Sequence, residues 1–267
     1  MKKFLLFLCG IFLCAVCNSE TLDISWYVGD NLYTTTQCNS GGDLILPTPP
    51  TSKPGYNFVG WRNNFQLVEY LESTGTQYID TGIVPSGGTK IEVYATLLEN
   101  ANKYSSLAGT VVACHYDTYN YTYFSPLYIS TDGRLYYYFN SHNYTGYSYG
   151  INDNVRAVLS VNSDNTEATV EYRNVSKNIT KTFTKTGSIT TDLSIYMFAN
   201  SHCTRGAIEQ IKARIFYAKI WNNNTLVRDF VPVIDAAGVP CMWDKVSETF
   251  FYNAGTGNFI AGPVVEE

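Results

Sequence analysis

The sequence predicts an all-β fold, an antiparallel β-sandwich preceded by a small β-rich unit. From residue 67 onwards, short runs in which apolar and polar residues alternate are separated by polar turn residues, which is typical of a sandwich. The composition has 22 Tyr and only 15% charged residues, which favours strands over helices. No stretch keeps a helical period for more than a turn or two, and only residues 204–212 are ambiguous.

The first residues have the pattern of a secretory signal peptide. Lys2 and Lys3 precede an apolar run over residues 4–16 that is short for a membrane span. We therefore expect residues 1–19 to be removed and the protein to be secreted, extracellular or periplasmic. The alternative is an anchor that stays in the membrane. No later run is long enough to cross a bilayer, so we expect no membrane span in the mature chain.

Residues 21–63 form a separate predicted unit. Residues 22–27 alternate as a strand, Gly-Gly-Asp makes a turn, and residues 44–46 form a second short strand before a Pro-rich connection. The unit ends in Gly-Tyr-Asn-Phe-Val-Gly-Trp at residues 55–61. This segment resembles the internalin B-repeat, also called the Listeria–Bacteroides repeat. The resemblance implies a small β-rich unit, and a single copy favours a spacer over a binding role.

Within residues 67–263 the pattern predicts a series of strands and one long hairpin. Besides the hairpin, we expect strands at 90–97, 106–113, 134–139, 155–161, 166–172, 179–183 and 193–198. The hairpin covers residues 213–233, with a turn at Asn222, Asn223 and Asn224 because Asn tolerates left-handed conformations. Simple alternation places Ile215, Tyr217, Lys219 and Trp221 on one face of its first strand, and Phe216, Ala218 and Ile220 on the other.

Three segments of this region together resemble a known family. They are the hairpin, an opening pair of strands at residues 69–82, and a closing strand at residues 251–259. They resemble the laminin-G-like, concanavalin A-like jelly rolls of bacterial surface proteins. The resemblance implies one jelly-roll domain over residues 67–263, a fold that hosts lectins, hydrolases and adhesion modules.

Carboxylate pairs test the hydrolase alternative. A glycoside hydrolase needs two carboxyl groups at a fixed separation, commonly at alternate positions of one strand. Glu69 and Glu72 have a spacing that puts them on opposite faces, and Glu167 and Glu171 share a face of an ordinary surface strand. We therefore predict no enzyme activity, with a degenerate glycoside hydrolase as the least favoured alternative.

The cysteine and histidine residues give no catalytic or zinc pattern. The mature chain keeps Cys38, Cys114, Cys203 and Cys241, an even set without C-x-x-C spacing. A disulfide within the larger domain and separate buried thiols both fit this set. The sequence neighbours in Cys114-His115 and His202-Cys203 would point to opposite faces of a strand. His142 stands alone.

No cofactor is expected either. Calcium is a ligand of some laminin-G domains, but the loop carboxylates lack the spacing of a calcium loop. These are Asp117, Asp132, Asp153 and Asp164.

Tyrosine is the most conspicuous candidate for binding. Residues 115–149 are dense in Tyr, and alternation over residues 134–139 turns Leu135, Tyr137 and Phe139 inward, leaving Tyr136 and Tyr138 outward. Outward rings can stack on sugars or peptides, although strands favour Tyr in any case. The predicted ligand-binding residues are Tyr121, Tyr123, Tyr136 and Tyr138.

These observations predict a secreted or surface-exposed, non-catalytic binding or adhesion protein. Its partner would be a glycan or an extracellular protein, recognised through the jelly roll. The alternative is a structural or display module without a small ligand. The net charge of −5 and the scattered Lys and Arg residues argue against nucleic acid as a partner.

Overall fold

The chain is built from strands throughout the residues that the structure describes. A computed structural model describes residues 2–4, 6–8, 21–28, 31–39, 46–50, 56–58, 65–98, 104–112, 122–130, 134–140, 142–148, 152–164, 166–174, 178–184 and 191–265. No helix occurs in these ranges, and all strand pairs but two are antiparallel among the pairings described. Accordingly, no helix there has the length and hydropathy needed to cross a membrane. The predicted all-β antiparallel sandwich is confirmed.

Two compact units divide the chain. The first comprises Met1–Gln66 and Ile234–Val239, and the second comprises Leu67–Val233 and Pro240–Glu267. The boundaries expected from the sequence, and the laminin-G-like and internalin-repeat assignments, stay predictions.

Among the described residues, five strands lie wholly within the first unit. They are β1 (Lys2–Phe4), β2 (Leu6–Leu8), β3 (Thr21–Val28), β4 (Asn31–Asn39) and β5 (Tyr56–Phe58). Strand β3 pairs with β2 and β4, and β1 pairs with β5. Ile24 and Trp26 are buried, and the indole N–H of Trp26 donates to Thr36 Oγ1 over 2.7 Å. Strand β3 confirms the strand expected at residues 22–27. At 44–46, only Leu46 lies within the described residues, and it is not in a strand.

The remaining strands form two sheets. After β6 (Gln66–Leu67) come β7 (Leu71–Thr74), β8 (Ile79–Asp80), β9 (Thr89–Leu97), β10 (Ser105–Val112), β11 (Thr122–Ile129), β12 (Arg134–Asn140), β13 (His142–Ser148), β14 (Asn154–Val161), β15 (Glu167–Arg173), β16 (Asn178–Thr184), β17 (Tyr196–Met197), β18 (Asn200–His202), β19 (Gly206–Ile208), β20 (Lys212–Asn222), β21 (Thr225–Ile234), β22 (Pro240–Asp244), β23 (Thr249–Phe251) and β24 (Ile260–Ala261). The larger sheet has the order β16-β15-β14-β9-β20-β21-β22-β23, with β7 beside β20. The smaller has the order β13-β12-β11-β10-β17-β8.

The core lies between these sheets. Alternate residues of β9 in the larger sheet and of β12 in the smaller sheet belong to one buried cluster; they are Ile91, Val93, Ala95, Leu97, Leu135, Tyr137 and Phe139. The inward positions predicted for β12 are therefore confirmed. In β9, the intervening residues must project from the opposite, outer face of the larger sheet.

The long hairpin forms as expected, in the middle of the larger sheet. Strands β20 and β21 pair with each other, and Asn223 and Asn224 have φ values of 46° and 65° at the turn. These are left-handed conformations, so the turn predicted from the Asn run is confirmed. The second strand continues one residue beyond the predicted hairpin, to Ile234.

A β-bulge overturns the predicted faces of β20. Ile215 pairs with Ala95 and Tyr217 with Tyr94, so Phe216 is an extra residue without an opposite number on β9. The bulge reverses the alternation: Ile215 joins Ala218 and Ile220 in the core. Phe216 and Tyr217 are both half-buried. Their rings pack against Tyr94 on the outer face.

The opening strand pair is also different from the prediction. Strands β7 and β8 do not pair, because the chain crosses between them from the larger sheet to the smaller. Gln77 stabilises the crossing, since its Oε1 accepts hydrogen bonds from the Thr74 amide at 2.8 Å and the Ser73 hydroxyl at 3.1 Å.

Two further predicted strands are shorter than expected. Residues 193–198 contain only the strand Tyr196–Met197. In residues 251–259 only Phe251 is in a strand. The rest is irregular, because side chains replace the ladder: Asn253 Oδ1 accepts from the amides of Gly255 at 2.8 Å and Tyr78 at 3.2 Å.

Candidate functional site

The tyrosines predicted to bind ligand lie in the smaller sheet or beyond the described residues. Tyr121 is outside the described residues. Tyr123 lies on β11 and Tyr138 on the neighbouring β12, with side chains that the structure does not describe. Tyr136 is half-buried and pairs with Tyr128 across the same two strands. The binding role of the four residues stays a prediction.

Two of the four carboxylates considered for hydrolysis are engaged in ion pairs. Glu72 Oε2 lies 2.6 Å from Arg214 Nε, and Glu171 Oε2 lies 3.1 Å from Arg156 Nη1. Glu69 is exposed, and Glu167 is half-buried at the start of β15.

Little of the Cys and His set can be described. His202 lies on β18, and burial, helped by Arg205, lowers its pKa. Cys203 is in a disulfide whose partner lies outside the described side chains, and Cys241 is buried and not in a disulfide. Within the described ranges, no three His, Cys, Asp or Glu residues are grouped as metal ligands.

A different candidate site lies on the outer face of the larger sheet. It is an open cleft of about 680 Å³. Its lining residues come from β9, β14, β15 and β20, from the turn just before β14 and from the residue just after β15. Two of them are tyrosines, two are arginines and four are Asn or Asp, so the cleft combines aromatic faces with polar groups.

One row of residues crosses four strands at the centre of this cleft. Tyr217 on β20 is opposite Tyr94 on β9, Tyr94 is opposite Arg156 on β14, and Arg156 is opposite Arg173 on β15. Directly opposite residues project from the same face of a sheet, and strands are about 4.8 Å apart. The row, which we call the Tyr–Arg row, therefore spans about 14 Å from Tyr217 to Arg173.

Aromatic rings form one end of the row. The ring centroids of Tyr94 and Tyr217 are 5.7 Å apart, and Phe216 lies 5.0 Å from Tyr94. Tyr70 continues the patch, with its centroid 5.9 Å from that of Phe216. The bulge is what allows adjacent residues of β20 to contribute two rings to one face, and bulges commonly re-aim side chains beside functional sites.

Glu92, two residues before Tyr94 on β9, holds the side chains at the centre of the row in place. Its two oxygens accept from Arg156 Nε at 2.9 Å and Nη2 at 2.6 Å, and Oε1 also accepts from the Tyr217 hydroxyl at 2.8 Å. Burial would raise the pKa of Glu92, but the hydrogen bonds from Arg156 and Tyr217 outweigh it and keep the pKa below its usual value. Burial and the same contact raise the pKa of Tyr217 to about 12. The carboxylate thus stays ionised and the phenol stays neutral.

Amides and a carboxylate form the rim. Asn152 has a φ of 68°, and its amide donates to the Leu97 carbonyl at 2.8 Å, which holds the turn before β14. Asn174 Nδ2 donates to Asp153 Oδ2 at 3.4 Å. Asn154 Oδ1 accepts from the Thr96 hydroxyl. This rim offers both donors and acceptors, the groups that sugar hydroxyls require.

Glu92 does not have the properties of a glycosidase acid. A glycosidase acid needs a raised pKa beside a second carboxyl group. The carboxylate of Glu92, which contacts Arg156 and Tyr217 of the cleft, is instead held ionised. A carboxyl group with a raised pKa, Glu209, follows β19 in the smaller sheet, where burial raises its pKa and Asn200 and Tyr128 donate to it at 2.7 and 3.0 Å.

Sequence reasoning missed the Tyr–Arg row for a definable reason. Tyr94 and Arg156 each read as one outward residue in an alternating strand. The row exists only because β9 lies between β14 and β20, an order that alternation does not encode. The available signal was weaker: Tyr217 follows Phe216 in a strand where a bulge would bring both rings to one face.

Comparisons with known proteins give structural similarity only. No family profile and no curated protein sequence matches the chain. It is similar to the structure of a candidate carbohydrate-binding protein from Bacteroides ovatus ATCC 8483, with 9% identity and a TM-score of 0.49 over 94% of this chain and 70% of that one. It is also similar to Scytalido-glutamic peptidase bound to a peptide-based transition-state analogue, with 14% identity and a TM-score of 0.34 over 60% of this chain and 84% of that one. Similarity at this level assigns neither a family nor an activity.

Proposed function

We propose that this chain is a non-catalytic carbohydrate-binding protein and that the cleft on the larger sheet is its glycan site. The observation that carries the proposal is the Tyr–Arg row, in which two tyrosine rings stand beside guanidinium groups in a cleft of about 680 Å³. Sugars present apolar ring faces and many hydroxyl groups. Tyr94 and Tyr217 can stack on the former, and the rim of Asn and Asp residues can bond the latter.

Preorganisation supports the same function. Tyr217 cannot rotate without breaking its hydrogen bond to Glu92, and Arg156 is held by two carboxylates. Because these side chains are already ordered, a ligand pays little conformational entropy for them on binding.

The finer assignments belong to this proposal. We propose that the second unit is a laminin-G-like jelly roll, that residues 21–63 are an internalin-repeat-like spacer, and that residues 1–19 direct export. The Lys2-Lys3 start supports export, as does the disulfide at Cys203, since disulfides persist in oxidising compartments. The glycan would then be extracellular.

A glycan array followed by titration calorimetry tests the function. Tyr94→Ala should weaken binding of the glycan that the array identifies by about 1–3 kcal/mol, the range known for base–aromatic stacking. Tyr104→Ala is the matched control, because Tyr104 is 51% exposed and its ring stacks on Tyr128 of the smaller sheet at 5.8 Å. Equal losses in the two variants would contradict the assignment of the site, and an array without hits would favour a display module.

A further inference from the structure

We propose that the cleft selects an acidic oligosaccharide, with Arg173 binding a carboxylate of the sugar. This inference rests on the proposed glycan function and adds the class of ligand. The Tyr–Arg row carries positive charge where two arginines are directly opposite each other on β14 and β15. Like charges in that arrangement repel each other.

The two arginines differ in how their charge is compensated. Arg156 forms ion pairs with Glu92 at 2.6 Å and with Glu171 at 3.1 Å. Arg173 is exposed, and its side chain makes no hydrogen bond or ion pair with any residue that the structure describes. Asp153 also lines the cleft, but it forms no ion pair with Arg173 and accepts from Asn174 instead. The guanidinium of Arg173 therefore keeps its donors available at the end of the row.

Guanidinium chemistry identifies the matching group. Arg presents paired donors in a planar fork that fits the two oxygens of a carboxylate, and such charge-assisted bonds are stronger than neutral ones. Glu92 and Glu171 already accept hydrogen bonds from the guanidinium of Arg156. Arg173 is therefore the arginine of the row that can bind a carboxylate of the ligand. Asp153 would repel a second anion nearby, which leaves it as an acceptor for hydroxyl groups.

The spacing of the row favours a ligand longer than one sugar. The backbones of Tyr94 and Arg173 are separated by two strand spacings, about 10 Å. We therefore expect an oligosaccharide in which one ring stacks on Tyr94 and the acidic residue lies further along the row, towards Arg173.

Matched acidic and neutral probes test this inference. Tetragalacturonate and its methyl ester differ at the carboxyl groups, which are charged in the acid and neutral in the ester, and a second pair is a hyaluronan oligosaccharide and its carboxyl-reduced form. For at least one pair, we expect the acid to bind about tenfold more tightly, as one charge-assisted bond allows. Raising the salt concentration should weaken the binding of the acidic probe and leave the binding of the neutral probe unchanged.

Variants then locate the preference. Arg173→Gln should remove the preference, so that the acidic and neutral members bind equally, and Arg173→Lys should restore part of it because Lys supplies charge without the fork. Arg205→Gln is the matched control, an exposed arginine in the turn between β18 and β19. Its acid preference should equal that of the unmodified protein.

The outcomes separate the two proposals. If both members of each pair bind equally and Tyr94→Ala loses that binding, the proposal of an acidic ligand is overturned and the proposed glycan function stands. Array hits confined to neutral glycans overturn the acidic class in the same way. An acid preference that survives in Arg173→Gln overturns the role of Arg173. Failure to bind any glycan, acidic or neutral, overturns the proposed function and this inference together.

Discussion

Glu92 and Arg156 form a bidentate ion pair across β9 and β14, with Nε–Oε1 and Nη2–Oε2 distances of 2.9 and 2.6 Å. The pair is two strands from the nearest edge of the larger sheet, and the Glu92 side chain is only 12% exposed. It connects stability to the proposed function, because Glu92 orders Tyr217 as well as Arg156. A buried ion pair stabilises a fold little more than well-packed apolar residues in the same place would. Removing one partner is nevertheless costly, because the other partner is left as a buried charge without a counter-ion.

Glu92→Gln should therefore lower the free energy of unfolding by about 1–3 kcal/mol, measured by urea titration. The control is Glu171→Gln, which removes the second partner of Arg156. Glu171 is 44% exposed, so its loss should cost less than about 1 kcal/mol. Equal losses in the two variants would show that the Glu92 contact has no special weight.

The same contact predicts an acid limb in the stability profile. The folded-state pKa of Glu92 is below the ordinary value of 4.5, so the contribution is complete above that value and is lost as the pH falls through the folded pKa. Thermal melts from about pH 3 to about pH 6 should show a smaller loss of stability on acidification in Glu92→Gln than in the unmodified protein. Parallel acid limbs in both proteins would contradict this.

Glu209 should have the opposite pH dependence. Burial raises its pKa against the two hydrogen bonds it accepts, so the folded state binds the proton more tightly than the unfolded state does. Its stabilising contribution is full below 4.5 and is lost as the pH rises through the folded pKa. Glu209→Gln should remove that decline, seen as a flatter dependence of Tm on pH above 4.5. A variant whose Tm declines with pH as before would assign the decline to other groups.

The bulge at Phe216 predicts that one residue can be deleted from β20. Because Ile215 and Tyr217 pair with the consecutive residues Ala95 and Tyr94, removing Phe216 should keep the register with β9 on both sides. We expect the deleted chain to fold, with a loss of about 3–5 kcal/mol at most from the missing ring. Deleting Ala218 instead should prevent folding, because a one-residue slip exchanges the two faces of the strand. Circular dichroism and thermal melts distinguish the two deletions.

Much of the fold could be predicted from local patterns, and the site could not. The Asn turn of the hairpin and the inward positions of Leu135, Tyr137 and Phe139 follow from residue type and alternation. The bulge at Phe216 does not, because its cause is the pairing with β9 rather than any residue of β20. The dense tyrosines at residues 115–149 drew the prediction to the smaller sheet.

The Tyr–Arg row depends on the spatial order of strands. Its members are residues 94, 156, 173 and 217, which become neighbours only through long-range pairing. Composition and periodicity are local quantities and carry no record of that order. The alternation of inward and outward residues along each strand indicates which side chains point outward, but not which of them are neighbours across the sheet.

A structure determined with the bound glycan tests the central claim most directly. Crystals grown with the best array hit should show a sugar ring over Tyr94 and Tyr217, with its hydroxyl groups bonded to the Asn and Asp residues of the rim. Sugar bound instead over Tyr136 and Tyr138 of the smaller sheet, with the cleft empty, would contradict the claim and return the site to the tyrosine-dense segment.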